Sequence, residues 1–415
     1  MELCQMQRIS KLISLLLPLK LLGVALLLYW SGELCGQQTI AGQQTASPNP
    51  SRPETQSIGD TDQTDSETPK QSVDSRSVTV RFPHDGATYI GRLLARSGNT
   101  VVLQRRDGDL KYLEIPADKK IDILSSTFEP HSPESLKVQL QEEFGSRYEV
   151  STTDRCVVVH PIGESEYWAN PFEAFIDNFE YYFEQFDYEL ADAPFPYVVI
   201  VLRSRSDFDR HMRAEVKITN RNVTGFYSVH SNRMVTYDPL GKVRIPSEKR
   251  RSWLYDSQTV LHESAHQLAF NRGIHNRLAP PPLWLSEGFA TLFEARGFHQ
   301  ARDFGSLKER ANRPRLTRLR NLYRGERIEG KLAKLLTDDR LFQTDTELAY
   351  TLAWGVTFYL SEKKPEKFRE YLRADAGRTN FRTQPTNERV ELFVNHFGSD
   401  IKQLEAEMKE FYVEK

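Results

Sequence analysis

The chain has 415 residues, 39% hydrophobic and 11% aromatic, which is enough for a real core and more than one typical domain. Its net charge of −2 argues against a nucleic-acid binder, whose footprint would be strongly basic. Near the start, Arg8 and Lys11 precede an apolar stretch, Leu12–Trp30, that Pro18 and Lys20 interrupt. The unbroken part, Leu21–Trp30, has a signal-peptide length and falls short of the roughly 20 residues of a membrane span. Residues 1–36 therefore read as a signal peptide cleaved after Gly36, or as an uncleaved membrane anchor. Leu34 disfavours lipid attachment at Cys35, because a small residue is usual there. Either way the bulk of the chain is expected to be exported: periplasmic, at the cell surface or secreted. Residues 37–75 are rich in Gln, Ser, Thr, Pro and Asp and hold no aromatic residue, so a disordered tether is expected.

From 76 to 127 the pattern changes. VTVRF, TYIGRLLARSG, NTVVLQRRDG, LKYLEIP and KIDIL alternate as strands do, with Gly86, Asn99, Asp107 and Gly108 at turns. Five short strands in this space predict a small SH3-like β-barrel, which carries no evident site and reads as a spacer. Beyond 131 the chain is mixed α and β. PFEAFIDNFEYYFEQF (171–186) spaces Phe172, Phe175, Phe179 and Phe183 as the core stripe of a helix. PYVVIVLRS (196–204) is a buried strand by its continuous apolar run. Segments 223–230 and 233–239 read as a hairpin turning at Ser231-Asn232. Cys156 stands alone in the body, within the apolar run CVVVH, and reads as a buried inert thiol.

TVLHESAHQLAF contains His262-Glu263-Ser264-Ala265-His266. On a helix this puts His262 and His266 one turn apart on one face, roughly 5–6 Å between Cβ atoms, a span one Zn²⁺ can bridge. Glu263 sits beside the pair, off the metal, where it can take a proton from a bound water. Val260, Leu261, Ala265, Leu268 and Ala269 form an apolar stripe that buries the helix, and buried histidines need partners. Asp256 or Ser257 can cap its start and Gly273 can close it. A second helix is expected after Pro280, Pro281 and Pro282, ending by Gly297; it carries Glu287 in LWLSEGFATLFE. Together these segments offer three metal ligands and a base.

At these segments the chain resembles the gluzincin metallopeptidases, in which a Glu on the helix after HExxH is the third ligand. WLSEGFATLFE is similar to the corresponding segment of the aminopeptidase N family. The closer resemblance is to a bacterial domain-of-unknown-function family of the peptidase-MA-like clan, over roughly residues 131–380. The resemblance implies an α+β, zincin-like metallopeptidase domain over 131–415, with zinc on His262, His266 and Glu287 and Glu263 as general base. It also implies a Tyr or His from the downstream helix AYTLAWGVTFYL (349–360) beside the oxyanion, which matches Tyr350; His230 and His275 are the other candidates. In gluzincins an edge strand pairs with extended substrate just before the HExxH helix, and Arg233–Tyr237 has the chain order for it. Aminopeptidase N carries Gly-x-Met-Glu-Asn there, whereas GFYSVHSNRMVTYDP has no such Glu, so an endopeptidase acting on a peptide or protein substrate is expected. A non-catalytic surface binding or structural module that keeps the fold is the alternative. Finally, residues 308–327 hold eight basic side chains and read as a solvated basic face, from which one Arg could anchor an acidic group.

Overall fold

In the computed structural model, residues 78–413 are described, apart from 85, 98, 117–119, 126, 217–222, 240–256, 301–304, 326–327 and 380–381. The expected targeting segment, the tether at 37–75, and Asp256, Glu326 and Arg327 fall outside the described residues. The five expected strands form: β1 (Thr79–His84), β2 (Ala87–Ser97), β3 (Thr100–Gln104), β4 (Leu110–Glu114) and β5 (Asp122–Ser125). Alternation buries Val80, Phe82, Val101, Leu103 and Leu113 on one face. The sheet is antiparallel, in the order β4-β3-β2-β1-β5. Among the described residues β4 and β5 do not pair, so the sheet is open and the expected barrel does not close. The reason lies in the edges. All four residues of β5 are exposed, leaving no apolar inward face to meet β4. The β4 end instead meets the rest of the chain, with the Leu110 N–H donating to the His230 carbonyl at 2.8 Å.

A second sheet follows, with strands β6 (Tyr148–Thr152), β7 (Cys156–Pro161), β8 (Tyr197–Leu202), β9 (Gly225–Tyr227) and β10 (Arg233–Tyr237) in the order β6-β7-β8-β10-β9. β7, β8 and β10 run parallel; β6 and β9 are antiparallel edges. The arm expected at the edge, Arg233–Tyr237, is therefore interior, and among the described residues β9 is the edge strand. Pairing in a parallel sheet explains this: Met234, Val235 and Thr236 lie between β8 and β9, as buried positions with partners on both sides.

All six residues of β8 are buried because helices cover both faces, as in parallel sheets generally. Val198, Ile200 and Leu202 face α1 (Pro133–Phe144) and α3 (Arg205–Val216) through Leu136, Leu140, Phe208 and Met212. Tyr197, Val199 and Val201 face the main core, which α2 (Ser165–Gln185) enters with its phenylalanine stripe. Phe179 stacks on Phe293 and packs at a tilt on Phe183, with ring centroids 4.8 and 4.9 Å apart. α2 begins before the expected start and runs through Pro171. Burial of Trp168 and Ala169 in the same core offsets the lost backbone bond. Cys156 is a free, buried thiol, and burial raises its pKa, keeping it inert.

The remainder is helical: α4 (Gln258–Asn271), α5 (Leu283–Leu292), α6 (Arg313–Arg324), α7 (Thr346–Lys363), α8 (Pro365–Ala376), α9 (Thr386–Phe397) and α10 (Ile401–Val413), with short turns between. α7 is buried from Leu348 to Ser361, as its sequence predicts. No helix among the described residues is long and apolar enough to cross a membrane.

Candidate metal centre

α4 is closed by Gly273, whose φ of +75° suits glycine at the end of a helix. Its apolar stripe is buried as expected, and the opposite side is buried too, because α4 lies between the sheet and α5. Gln267 fastens α4 to the sheet, donating to the Val198 and Asn232 carbonyls at 3.0 Å each. At the edge, a Cβ on Gly225 would come within 2.7 Å of Thr259, so glycine there lets β9 press against α4. Pro282 opens α5, which ends at Leu292, short of Gly297.

These two helices bring the motif together. His262, His266 and Glu287 offer ligand atoms that all lie within 4.8 Å of one another and could hold a metal ion. His262 Nε2 is 3.1 Å from Glu287 Oε2 and 3.1 Å from His266 Nε2; His266 Nε2 is 3.6 Å from Glu287 Oε1. Two ring nitrogens facing each other at 3.1 Å beside a buried carboxylate form a nitrogen and oxygen donor set of the kind that holds a divalent cation. Glu287 Oε1 is buried and accepts no hydrogen bond among the described residues, which fits a metal ligand.

The charges agree with that geometry. Burial alone would lower His262, but hydrogen bonds to Glu287 and Glu294 outweigh it and raise it to about 10. Burial works the other way on Glu287, yet the two imidazoles hold it well below the usual carboxylate range. The centre is thus one that stabilises positive charge between His262 and Glu287. Glu263 has a different environment: burial, partly offset by His262, pushes it up to about 8. Its Oε2 accepts from the Tyr227 N–H on edge strand β9 at 2.9 Å, and its Oε1 is buried with no partner among the described residues.

Glu294 is a site residue that the sequence reading missed. Its Oε1 lies 3.0 Å from His262 Nδ1, and its Oε2 accepts from Asn312 Nδ2 at 2.8 Å. It holds the imidazole in place through Nδ1, as outer carboxylates do at histidines that bind metals. The available signal was its spacing, seven positions after Glu287 in the same segment. The expected basic face of 308–327 is also corrected. Lys308, Arg313, Arg318 and Arg324 are exposed, but Arg310 and Arg315 are buried. Arg310 pairs with Glu362 at 2.8 Å, and Arg315 pairs with Glu347 at 3.3 Å while its guanidinium lies 5.4 Å from the Tyr350 ring centre.

Tyr350 reaches the centre, with its ring centre 6.2 Å from that of His262. Its hydroxyl is buried, and its pKa is raised well above the usual value by burial and then by the charge and hydrogen bonding of Glu287. The approach depends on Gly288, where an added Cβ would fall 2.4 Å from the Ala353 carbonyl oxygen of α7. His230 and His275 are elsewhere. The His230 ring packs on Tyr112 of β4, with centroids 5.5 Å apart. His275 is buried between Phe270 and Phe289, at 5.3 and 5.2 Å.

Residues 256–382, which carry both motif helices and α7, match a family model described as "Protein of unknown function (DUF1570)". The match supports a bacterial domain-of-unknown-function family for this segment. No curated protein matches the chain.

Proposed function

We infer that the chain is a zinc-dependent peptidase of gluzincin type, exported and acting on a peptide or protein, with endopeptidase cleavage as the preferred mode. The observation that carries this reading is the convergence of His262, His266 and Glu287 within 4.8 Å, with the Glu263 carboxylate beside them. His262, His266 and Glu287 would hold the ion. Zinc bound there supplies a carbonyl-polarising Lewis acid and brings the pKa of a bound water toward about 7. Glu263 would accept a proton at Oε1, its unpartnered oxygen, and return it to the leaving amine. Tyr350, buried beside Glu287 with its ring 6.2 Å from that of His262, is a donor at hand for a developing oxyanion. Edge strand β9 offers main-chain pairing to an extended substrate.

A second reading has its own support. His262, Glu263, His266, Glu287 and Tyr350 are each at most 1% exposed, which favours a metal held for structure in a non-catalytic surface module. Elemental analysis and turnover separate the two. The enzyme reading expects one zinc per chain, lost in His262→Ala and Glu287→Ala. It also expects Glu263→Gln to keep the zinc while hydrolysis of a mixed peptide library falls about 10²–10⁴-fold. Full zinc in His262→Ala overturns the metal assignment, and equal peptide hydrolysis by the wild type and Glu263→Gln overturns the enzyme.

A further inference from the structure

Away from the metal centre, a cavity of about 270 Å³ lies where the small sheet meets the turn after α4. Its walls include Arg92 and Leu94 from β2, Gln104 from β3, and Phe270, His275 and Arg277 from the other side. Two guanidinium groups therefore converge on it from separate parts of the fold. Neither has a carboxylate within ion-pair distance among the described residues, which is unusual for partly buried arginines. Arg277 donates to three backbone carbonyls, Val229 at 2.7 Å, Gly108 at 2.9 Å and His230 at 2.9 Å, and two of its five N–H groups remain. Arg92 donates to Gln104 Oε1, while its Nε is buried with no partner.

The nearest acidic groups are engaged with other partners. Asp109 accepts from Lys111 at 2.7 Å, Asp107 pairs with Arg105 at 4.0 Å, and Asp375 pairs with Arg378 at 3.0 Å. His275 adds a second, independent sign. It is 2% exposed, and with the Ile274 backbone as its one hydrogen-bond contact among the described residues at least one ring nitrogen is buried without a partner, although a neutral imidazole carries one donor and one acceptor. Burial, aided by the charge of His266, keeps it neutral, with its pKa pushed down to about 3. Buried donors left unpaired are destabilising, and more so when charged. An oxyanion would pair the donors of this set: it accepts from guanidinium N–H groups in a charge-assisted geometry and from an imidazole N–H.

We propose that this junction cavity binds a small oxyanion-bearing ligand, a carboxylate or a phosphate, held by Arg92 and Arg277 with His275 as a neutral hydrogen-bond donor. The volume limits the ligand to a few heavy atoms beyond the anionic group, since a single water occupies about 30 Å³. Phe270, Leu94 and Leu110 supply an apolar wall for a short carbon chain. This site does not depend on the metal reading, and its ligand bridges the small sheet and the helical region.

The test is calorimetric titration of the full chain at low ionic strength with succinate in one arm and inorganic phosphate in the other. Chloride at matched ionic strength is the background. Saturable binding in either arm is expected, at least 10-fold weaker in Arg92→Gln and unchanged in Arg81→Gln, an exposed arginine of the same sheet. Leu94→Glu, which brings an internal carboxylate to the cavity, should abolish binding and serves if Arg92→Gln fails to fold. Succinate alone binding identifies a carboxylate ligand; phosphate alone identifies a phosphate. Absence of saturation in both arms overturns the proposal. So does equal weakening in Arg81→Gln, or wild-type binding by folded Arg92→Gln or Leu94→Glu.

Discussion

Gly288→Ala should destabilise the protein, although alanine is the better helix former. The added Cβ would sit 2.3 Å from Thr357 Oγ1 and 2.4 Å from the Ala353 carbonyl oxygen. Threonine can rotate away, but a carbonyl inside α7 cannot, so the helices must part by roughly 1 Å to restore ordinary contact. Overpacking of this kind costs about 1–3 kcal/mol, and a backbone clash belongs at the upper end. The gain in helix propensity returns about 1 kcal/mol. The net expectation is a loss of about 2 kcal/mol, read as a lower midpoint in urea with an unchanged slope. Gly355→Ala is the internal comparison. Its Cβ would meet Leu319 Cδ2 at 2.9 Å, the movable end of a side chain, so its overpacking and propensity terms should nearly cancel. If Gly288→Ala is as stable as the wild type, or less harmful than Gly355→Ala, close approach of α5 and α7 is not what that glycine provides.

Other consequences follow from single residues. Glu294→Gln should weaken zinc binding about 10–100-fold, measured by chelator competition, while the fold survives; unchanged affinity would mean that Glu294 does not tune His262. Tyr350→Phe should lower kcat by about 10²–10³-fold with zinc content and Tm nearly unchanged, as for loss of an oxyanion donor; a fall in stability without loss of turnover would make Tyr350 a core residue only. His275 gives a pH test. Its folded pKa of about 3 lies below the ordinary 6.5, so between these values the unfolded chain binds a proton that the folded chain does not. Stability is therefore fully present above about pH 6.5 and falls as the pH drops toward 3, by about 1.4 kcal/mol per unit. His275→Leu should remove that slope in denaturation curves across this range; an unaltered slope would place the titrating group elsewhere.

Local pattern alone determined much of this protein. Period-two alternation marked all five strands of the small sheet, and spacing marked the buried face of α2, because burial of one side imprints periodicity on the chain; α4 and α7 are buried all round and were marked by their apolar content. The helical HExxH was legible without tertiary information, since two histidines one turn apart share a face of any helix. Closure and neighbourhood were not legible. Whether β5 meets β4, and whether β9 or β10 is the edge, depends on pairings between segments distant in sequence, and alternation is the same in either arrangement. Glu294, Arg315 and the Arg92–Arg277 cavity looked like ordinary charged positions along the chain. Only packing gave each a buried neighbour, removing the water that would otherwise screen it, and it is that desolvation which turns a common side chain into part of a site.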